Sequence, residues 1–378
     1  MKRSAAICVL FPALCGAAAQ TPSAQLRNLL HTAADAQRQG DLKTAIADFR
    51  KALALDPKSL EAQAGLGAAL AASGDLAGAI AFDKQALDAS PDNPALRTEL
   101  GLAYYRSGDL AQARRELETV HSSHPDDVKA AVLLAFTFNK LGREADTVAL
   151  LTPLEKGHAG DLDLVYALGY AMLVTGQHAE GIARIENVAA ARHAADEWIL
   201  AGTARFQLRQ FREALADARQ ALNADPSYPG AHTLSGQAQY ATGNIDAAAS
   251  EFQAALRQNP SDFVANLYLG IIRFDQHDLE SARPLLELAL GIHPQDPLTR
   301  LSLARLRNME GRTDDALALL EGLEKSDPDW LDPHIDLAAL YYKLHRPEDG
   351  QRERETVKRL QEIQQAQGTR RQQEKSPQ

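Results

Sequence analysis

The chain has 378 residues and a formal net charge of −10 at pH 7, from 50 acidic and 40 basic residues. A hydrophobic content of 45% excludes wholesale disorder. Acidity without a basic stripe argues against nucleic acid and anionic membrane as partners, since both select for dense Lys and Arg.

The first element is a different kind of text from the rest. MKRSAAICVLFPALCGAAAQ has two early cations, an apolar core from Ala5 to Leu14, and small residues at Ala17 and Ala19. That layout predicts a signal peptide over 1–19, cleaved between Ala19 and Gln20, and therefore an exported chain, periplasmic or secreted. The apolar run falls short of the roughly 20 residues that span a bilayer, so no membrane insertion of the mature chain is expected. A lipid on Cys15 is the weaker reading, because Leu14 stands where such signals need a small residue. Cleavage removes Lys2 and Arg3, taking the charge from −10 to −12, and removes both cysteines, Cys8 and Cys15. The mature chain then has no thiol chemistry and is held by packing alone. Residues 20–25 read as a short linker.

From there a period governs the text. Prolines fall at Pro57, Pro91 and Pro125, then at Pro226, Pro260, Pro294 and Pro328, each group stepping by 34 residues. Small residues keep the same frame: Ala33, Gly67, Gly101, Ala135, Gly169, Gly202, Gly236, Gly270, Ala304 and Ala338. A third row, Ala45, Ala79, Ala113, Ala214, Ala248, Ala282 and Ala316, follows twelve residues behind. Within residues 229–262, two helices of about 13 residues are predicted on either side of Thr242-Gly243-Asn244. Gly243 can end the first in a left-handed conformation, and Asn244 or Asp246 can cap the second. Pro260 stops the second helix, and Ser261 and Asp262 cap the next unit. Small residues at Gly236 and Ala248 let the antiparallel pair approach closely.

These residues resemble the tetratricopeptide repeat. Residues 94–127 carry Leu100, Gly101, Tyr104, Ala113 and Pro125; residues 195–228 carry Trp198, Gly202, Ala214, Ala221 and Pro226. Residues 229–262 carry Gly236, Ala248, Phe252, Ala255 and Pro260. The resemblance implies an all-α, right-handed α-α superhelix (solenoid) of about ten 34-residue helix-turn-helix units. Repeats are placed near 26–59, 60–93, 94–127, 128–161, 162–194, 195–228, 229–262, 263–296, 297–330 and 331–366, the last including a capping helix. Residues 128–194 lack the closing proline and carry Thr147 and Gly181 where alanine is usual. They are either a hinge or degenerate repeats, the second being the simpler reading. Pro153 is expected to bend or shorten the helix around it. The closing helix from Pro347 carries Val357, Leu360 and Ile363 on one side, and 367–378 reads as a disordered polar tail.

Nothing in the text carries catalysis. GLGAAL at 65–70 has no strand before it, which a dinucleotide loop requires. His121 and His124 stand near Asp126 and Asp127, but histidine at a helix end reads first as a solvated terminus. No serine elbow, catalytic cysteine or phosphate loop occurs, and the repeats leave no room for a catalytic domain. The expectation is a protein that is not an enzyme, without cofactor or metal.

In the family the first helix of each repeat lines the concave side. Its twelfth position gives Tyr105, Phe206, Tyr240, Phe274 and Tyr342, its ninth Phe136 and Tyr170, and its fifth Tyr166. Aromatic residues in a groove are the type that carries binding energy. Some members resemble a clamp of Lys and Asn for a terminal carboxylate. The matching positions here hold Leu30, Ala34, Gly65, Ala95 and Glu99, so that ligand is not expected. The reading is a non-catalytic interaction scaffold in the cell envelope, binding a protein or peptide segment. A structural or self-associating envelope component, or an accessory subunit of an envelope enzyme, stands as the alternative.

Overall fold

The computed structural model describes residues 22–375, with side chains described from 23 to 367. The proposed signal peptide lies outside the described residues. The described chain holds twenty helices and no strand, in ten consecutive pairs. They are α1 (Pro22–Arg38) and α2 (Leu42–Leu55), α3 (Leu60–Ala72) and α4 (Leu76–Ala89), α5 (Pro94–Ser107) and α6 (Leu110–Ser123), α7 (Val128–Lys140) and α8 (Glu144–Glu155), α9 (Leu162–Val174) and α10 (His178–Arg192). There follow α11 (Ala195–Gln207) and α12 (Phe211–Ala224), α13 (Ala231–Ala241) and α14 (Ile245–Gln258), α15 (Phe263–Asp275) and α16 (Leu279–Ile292), α17 (Pro297–Met309) and α18 (Thr313–Ser326), α19 (Leu331–Lys343) and α20 (Pro347–Lys375).

The turn inside every pair uses one backbone device. Gly40, Gly74, Gly108, Gly142, Gly176, Gly243 and Gly311 have positive φ, and Arg209, His277 and His345 hold the same conformation without being glycine. The left-handed residue ends the first helix. The next residue then caps the second: Asp41, Asp75, Asp109 and Asp278 each accept from the backbone N–H three residues on. Asn244 occupies that place without the bond, because its side chain donates to the Thr242 hydroxyl at 3.0 Å instead. Asp262 caps α15, accepting from the Ala265 N–H at 2.8 Å.

Packing explains the small residues. Ala45, Ala79, Ala113, Ala214, Ala248, Ala282 and Ala316 are all fully buried. Glycines of the first helix face a bulky residue of the second. A Cβ at Gly101 would lie 2.7 Å from Leu117, and one at Gly236 would lie 2.7 Å from the Phe252 ring. Thr147, read as a lapse in the alanine row, is also fully buried, and its hydroxyl bonds to the Ala135 carbonyl at 3.1 Å and to Asn139 at 2.7 Å. At Gly181 a Cβ would lie 2.8 Å from the Gly169 carbonyl, so this glycine permits a closer approach than alanine would. Pro153 sits in the last turn of α8, which has 12 residues against 14 in α6 and α12.

The prolines do more than stop helices. The carbonyl of Pro57 accepts from Gln63, that of Pro91 from Arg97, that of Pro260 from Asn266 and that of Pro328 from His334, all at 2.8–2.9 Å. A donor six residues after the proline thus ties each of these four loops to the next first helix. Arg97 also reaches Glu116 on α6 at 2.7 Å, and His334 reaches Glu353 on α20 at the same distance. These bonds satisfy loop carbonyls just beyond the helix ends.

The chain divides into two compact units, one up to Gly181 and one from Ile182 on. In the first, α1, α3, α5, α7 and α9 touch in succession; in the second, α11, α13, α15, α17 and α19 do the same. No two second helices are in comparable contact among the described residues. A stack more closely spaced on one side curves toward that side, so within each unit the first helices form the inner wall.

The closing helix runs further than the sequence alone suggests. It continues to Lys375, through most of the segment expected to be a tail. Gln, Glu, Arg and Lys are good helix formers, and Gly368 is the single breaker among them. Of its apolar side, Leu360 is buried while Ile363 is 46% exposed, so packing ends within the helix. Likewise α1 begins at Pro22, within the stretch read as a linker. Among the described residues no helix is long and apolar enough to cross a membrane.

Candidate functional site

The eight aromatic residues singled out above all lie on first helices. In the first unit, Tyr105, Phe136, Tyr166 and Tyr170 are half-buried. Lys140 places its ammonium 4.3 Å from the centre of the Tyr105 ring, a contact between α7 and α5. Phe136 and Tyr166 approach to 6.4 Å between ring centres, bridging α7 and α9. Tyr170 stands one turn beyond Tyr166 on α9.

In the second unit, Phe206, Tyr240 and Phe274 are half-buried and Tyr342 is 39% exposed. Each sits in the last turn of its helix, where the fixed turn geometry puts it at the same height in every pair. Phe206 packs on Phe211 across its own turn at 5.2 Å, while Tyr240 meets Tyr268 of α15 edge-on at 5.1 Å. Tyr268 in turn stacks on the buried Phe252 ring at 5.7 Å. Tyr240 therefore packs across to the next pair, Phe206 and Tyr342 within their own, and each stays partly accessible. Burial pushes the hydroxyls of Tyr240 and Tyr268 above the ordinary tyrosine range, so both remain neutral donors.

Polar rungs complete this wall where the comb has its gap at Asn308. Lys343 donates to the Asn308 side chain at 2.8 Å, and Arg305 donates to Asp336 at 2.7 Å, both linking α17 to α19. Beneath them Phe274, Ala304, Arg305, Asn308, Met309, Leu320 and Asp336 line a cleft of about 180 Å³. A second cleft of about 390 Å³ lies between α19 and α20, lined by Ile335, Ala338, Ala339, Tyr342, Arg354, Val357, Lys358 and Gln361. Ile335 is 42% exposed there. Apolar floors with cationic or amide edges can hold an apolar side chain of a peptide and hydrogen-bond its backbone. The sequence did not announce these rungs, although Arg305 and Asn308 occupy the ninth and twelfth positions named above.

The histidines read as helix-end residues are found at the end of α6. His124 closes the helix, with its ring 3.0 Å from the Ser123 hydroxyl.

The comparisons agree with this architecture. Models described as tetratricopeptide repeat match residues 70–135 and 273–340 in one case, and 32–94, 199–263 and 233–297 in the other. Together they span 32–135 and 199–340, leaving unmatched the middle stretch in which the repeat signature weakens. No curated protein matches the sequence. Among solved structures, YrrB, described as a TPR protein with an unusual peptide-binding site, aligns at 20% identity and TM-score 0.42, over 48% of this chain and 95% of its own. MamA aligns at 20% identity and TM-score 0.42, over 44% of this chain and 92% of its own. Yeast Tom70 aligns at 16% identity and TM-score 0.37, over 92% of this chain and 96% of its own. By its family-model matches and its ten helix pairs, the chain belongs to the tetratricopeptide-repeat family.

Proposed function

We propose that the chain is a non-catalytic scaffold that binds an extended or helical segment of a partner protein along the inner wall of its helix stack. The observation that carries this reading is the comb of Phe206, Tyr240, Phe274 and Tyr342, whose rings keep accessible surface at one height on successive first helices. Aromatic side chains lose little entropy on binding and bury much area, so they serve as anchors. The rungs Arg305–Asp336 and Lys343–Asn308 supply the polar edge that orients a peptide backbone. With its signal-like first residues, the protein is exported and works in the cell envelope, where its partner is assembled, positioned or held.

The test uses a variant that keeps the wall apolar. Phe206→Leu, Tyr240→Leu and Phe274→Leu together keep an apolar wall while removing the ring faces. Partners captured by wild type from an envelope extract are identified by mass spectrometry, purified, and titrated against both proteins, with helicity checked by circular dichroism. One anchor is worth at least about 2 kcal/mol, so the triple variant should lose at least about 30-fold in affinity. Equal affinity of wild type and variant for the same partner would show that the comb only packs.

A further inference from the structure

The twelfth place of the second helix is not apolar in every pair: α6 holds His121 there, α8 Glu155 and α18 Glu324. It is leucine at Leu53, Leu87, Leu222, Leu256 and Leu290, and each packs against an apolar cluster. The Glu324 carboxylate comes together with His334 of α19 and Glu353 of α20, one ligand atom from each lying within 4.8 Å of the others. His334 is 2% exposed and Glu353 8% exposed, so the cluster is largely removed from water.

The hydrogen bonds fix which ring nitrogen is available. Nε2 faces the Pro328 carbonyl at 2.9 Å, an acceptor only, so Nε2 carries the proton of the neutral ring. Nδ1 then presents its lone pair to Glu353 Oε2 at 2.7 Å. A positive centre must lie at that contact, either a second proton shared by ring and carboxyl or a metal ion. A divalent cation answers all three groups at once. An imidazole whose far N–H is held by a backbone carbonyl is the arrangement in which histidine binds metal most readily.

We infer that Glu324, His334 and Glu353 form a binding site for a divalent transition-metal ion, zinc by its one-nitrogen, two-carboxylate donor set, which clasps α18, α19 and α20 together. Zinc takes such donors at about 2.0–2.2 Å, with the fourth position left to water. The chain contains its own control. His232 and Glu251 form the same pair at 2.7 Å on α13 and α14, but the place of Glu324 is there taken by Leu222.

The test titrates zinc chloride into the chelator-stripped full chain by calorimetry, with thermal unfolding followed by circular dichroism in parallel. The expected result is one zinc per chain and a raised unfolding temperature for the loaded protein. Glu324→Leu restores the frame residue, so it should fold and yet bind zinc at least tenfold more weakly. His334→Gln, which installs the residue found at Gln63 in the same place of the frame, should also lose zinc, while His232→Gln should bind as wild type does. Absence of saturable zinc binding, or equal affinity in wild type and Glu324→Leu, would overturn the assignment.

Discussion

Two carboxyl groups stand where the repeat asks for an apolar residue, and the chain treats them differently. The eighth residue of the second helix is Phe49, Leu117, Leu151, Ile185, Ala218, Phe252, Leu286 or Leu320, each 3% exposed or less. In α4 that residue is Asp83, 1% exposed, lying against Gly67 with Oδ1 lacking any hydrogen-bond partner. Glu324, by contrast, meets a histidine that can hold positive charge or a metal beside it. A repeat scaffold makes such departures visible, because eight other copies are apolar at the place of Asp83 and six at that of Glu324. One departure is compensated and the other is not, so the two should respond to mutation and pH in opposite ways.

The largest effect is expected at Asp83. Burial, with Glu99 adding to it, pushes its carboxyl up to about 7. A group whose folded value is raised binds its proton more tightly in the native state. Its contribution is therefore favourable at low pH and is lost as pH rises through about 7. A rise of that size corresponds to roughly 4 kcal/mol of stability missing above that pH. Asp83→Leu recreates the Gly101–Leu117 contact of the next pair, so overpacking is not expected. Urea denaturation at pH 8 should show the first unit stabilised by about 3–4 kcal/mol, and the stability loss of wild type between pH 5 and 8 should flatten in the variant. An unchanged pH dependence would mean that water reaches Asp83.

The compensated site should behave conversely. His334→Ala removes the partner of both Glu353 and the Pro328 carbonyl. Leaving a buried carboxylate and a buried carbonyl unpaired costs about 3 kcal/mol. His334→Gln keeps the carbonyl bond, as Gln63 does to Pro57 at 2.8 Å, and should cost about 1 kcal/mol less than alanine. Denaturation of both variants in metal-free buffer measures the difference. Equal losses would place the whole effect in Glu353 and none in the loop.

The scaffold was legible because its period is dictated by backbone chemistry. Proline without an N–H, a left-handed turn residue and a small residue at the crossing each leave a letter in the text every 34 residues. The polar layer was not. A donor six residues after the proline can be Gln63, Arg97, Asn266 or His334, chemically diverse residues with one shared geometry, so no letter recurs. Thr147 looked like degeneration for the same reason, since its partner at the Ala135 carbonyl is backbone and cannot be read as a residue type. The aromatic comb was legible as a pattern, but its division between packing and display depends on neighbours such as Tyr268, which lies in the next repeat. Glu324 was missed because its meaning appears only when three helices converge.

The smallest effect tests whether a backbone departure from the frame matters as a side-chain departure does. Seven of the ten turns use glycine with positive φ, while Arg209, His277 and His345 take the same conformation with a Cβ. That conformation costs an ordinary residue about 1 kcal/mol through the clash of Cβ with the following carbonyl. His277 lies between α15 and α16, and its amide bonds to the Phe274 carbonyl at 2.9 Å, a backbone bond that glycine retains. His277→Gly relieves the clash but adds freedom to the unfolded chain, so the net gain should be about 0.5–1 kcal/mol. Thermal unfolding should shift upward by about one or two degrees. A loss on substitution would mean that the His277 side chain makes a contact worth more than the strain, and that this turn, unlike the glycine turns, was chosen for its side chain.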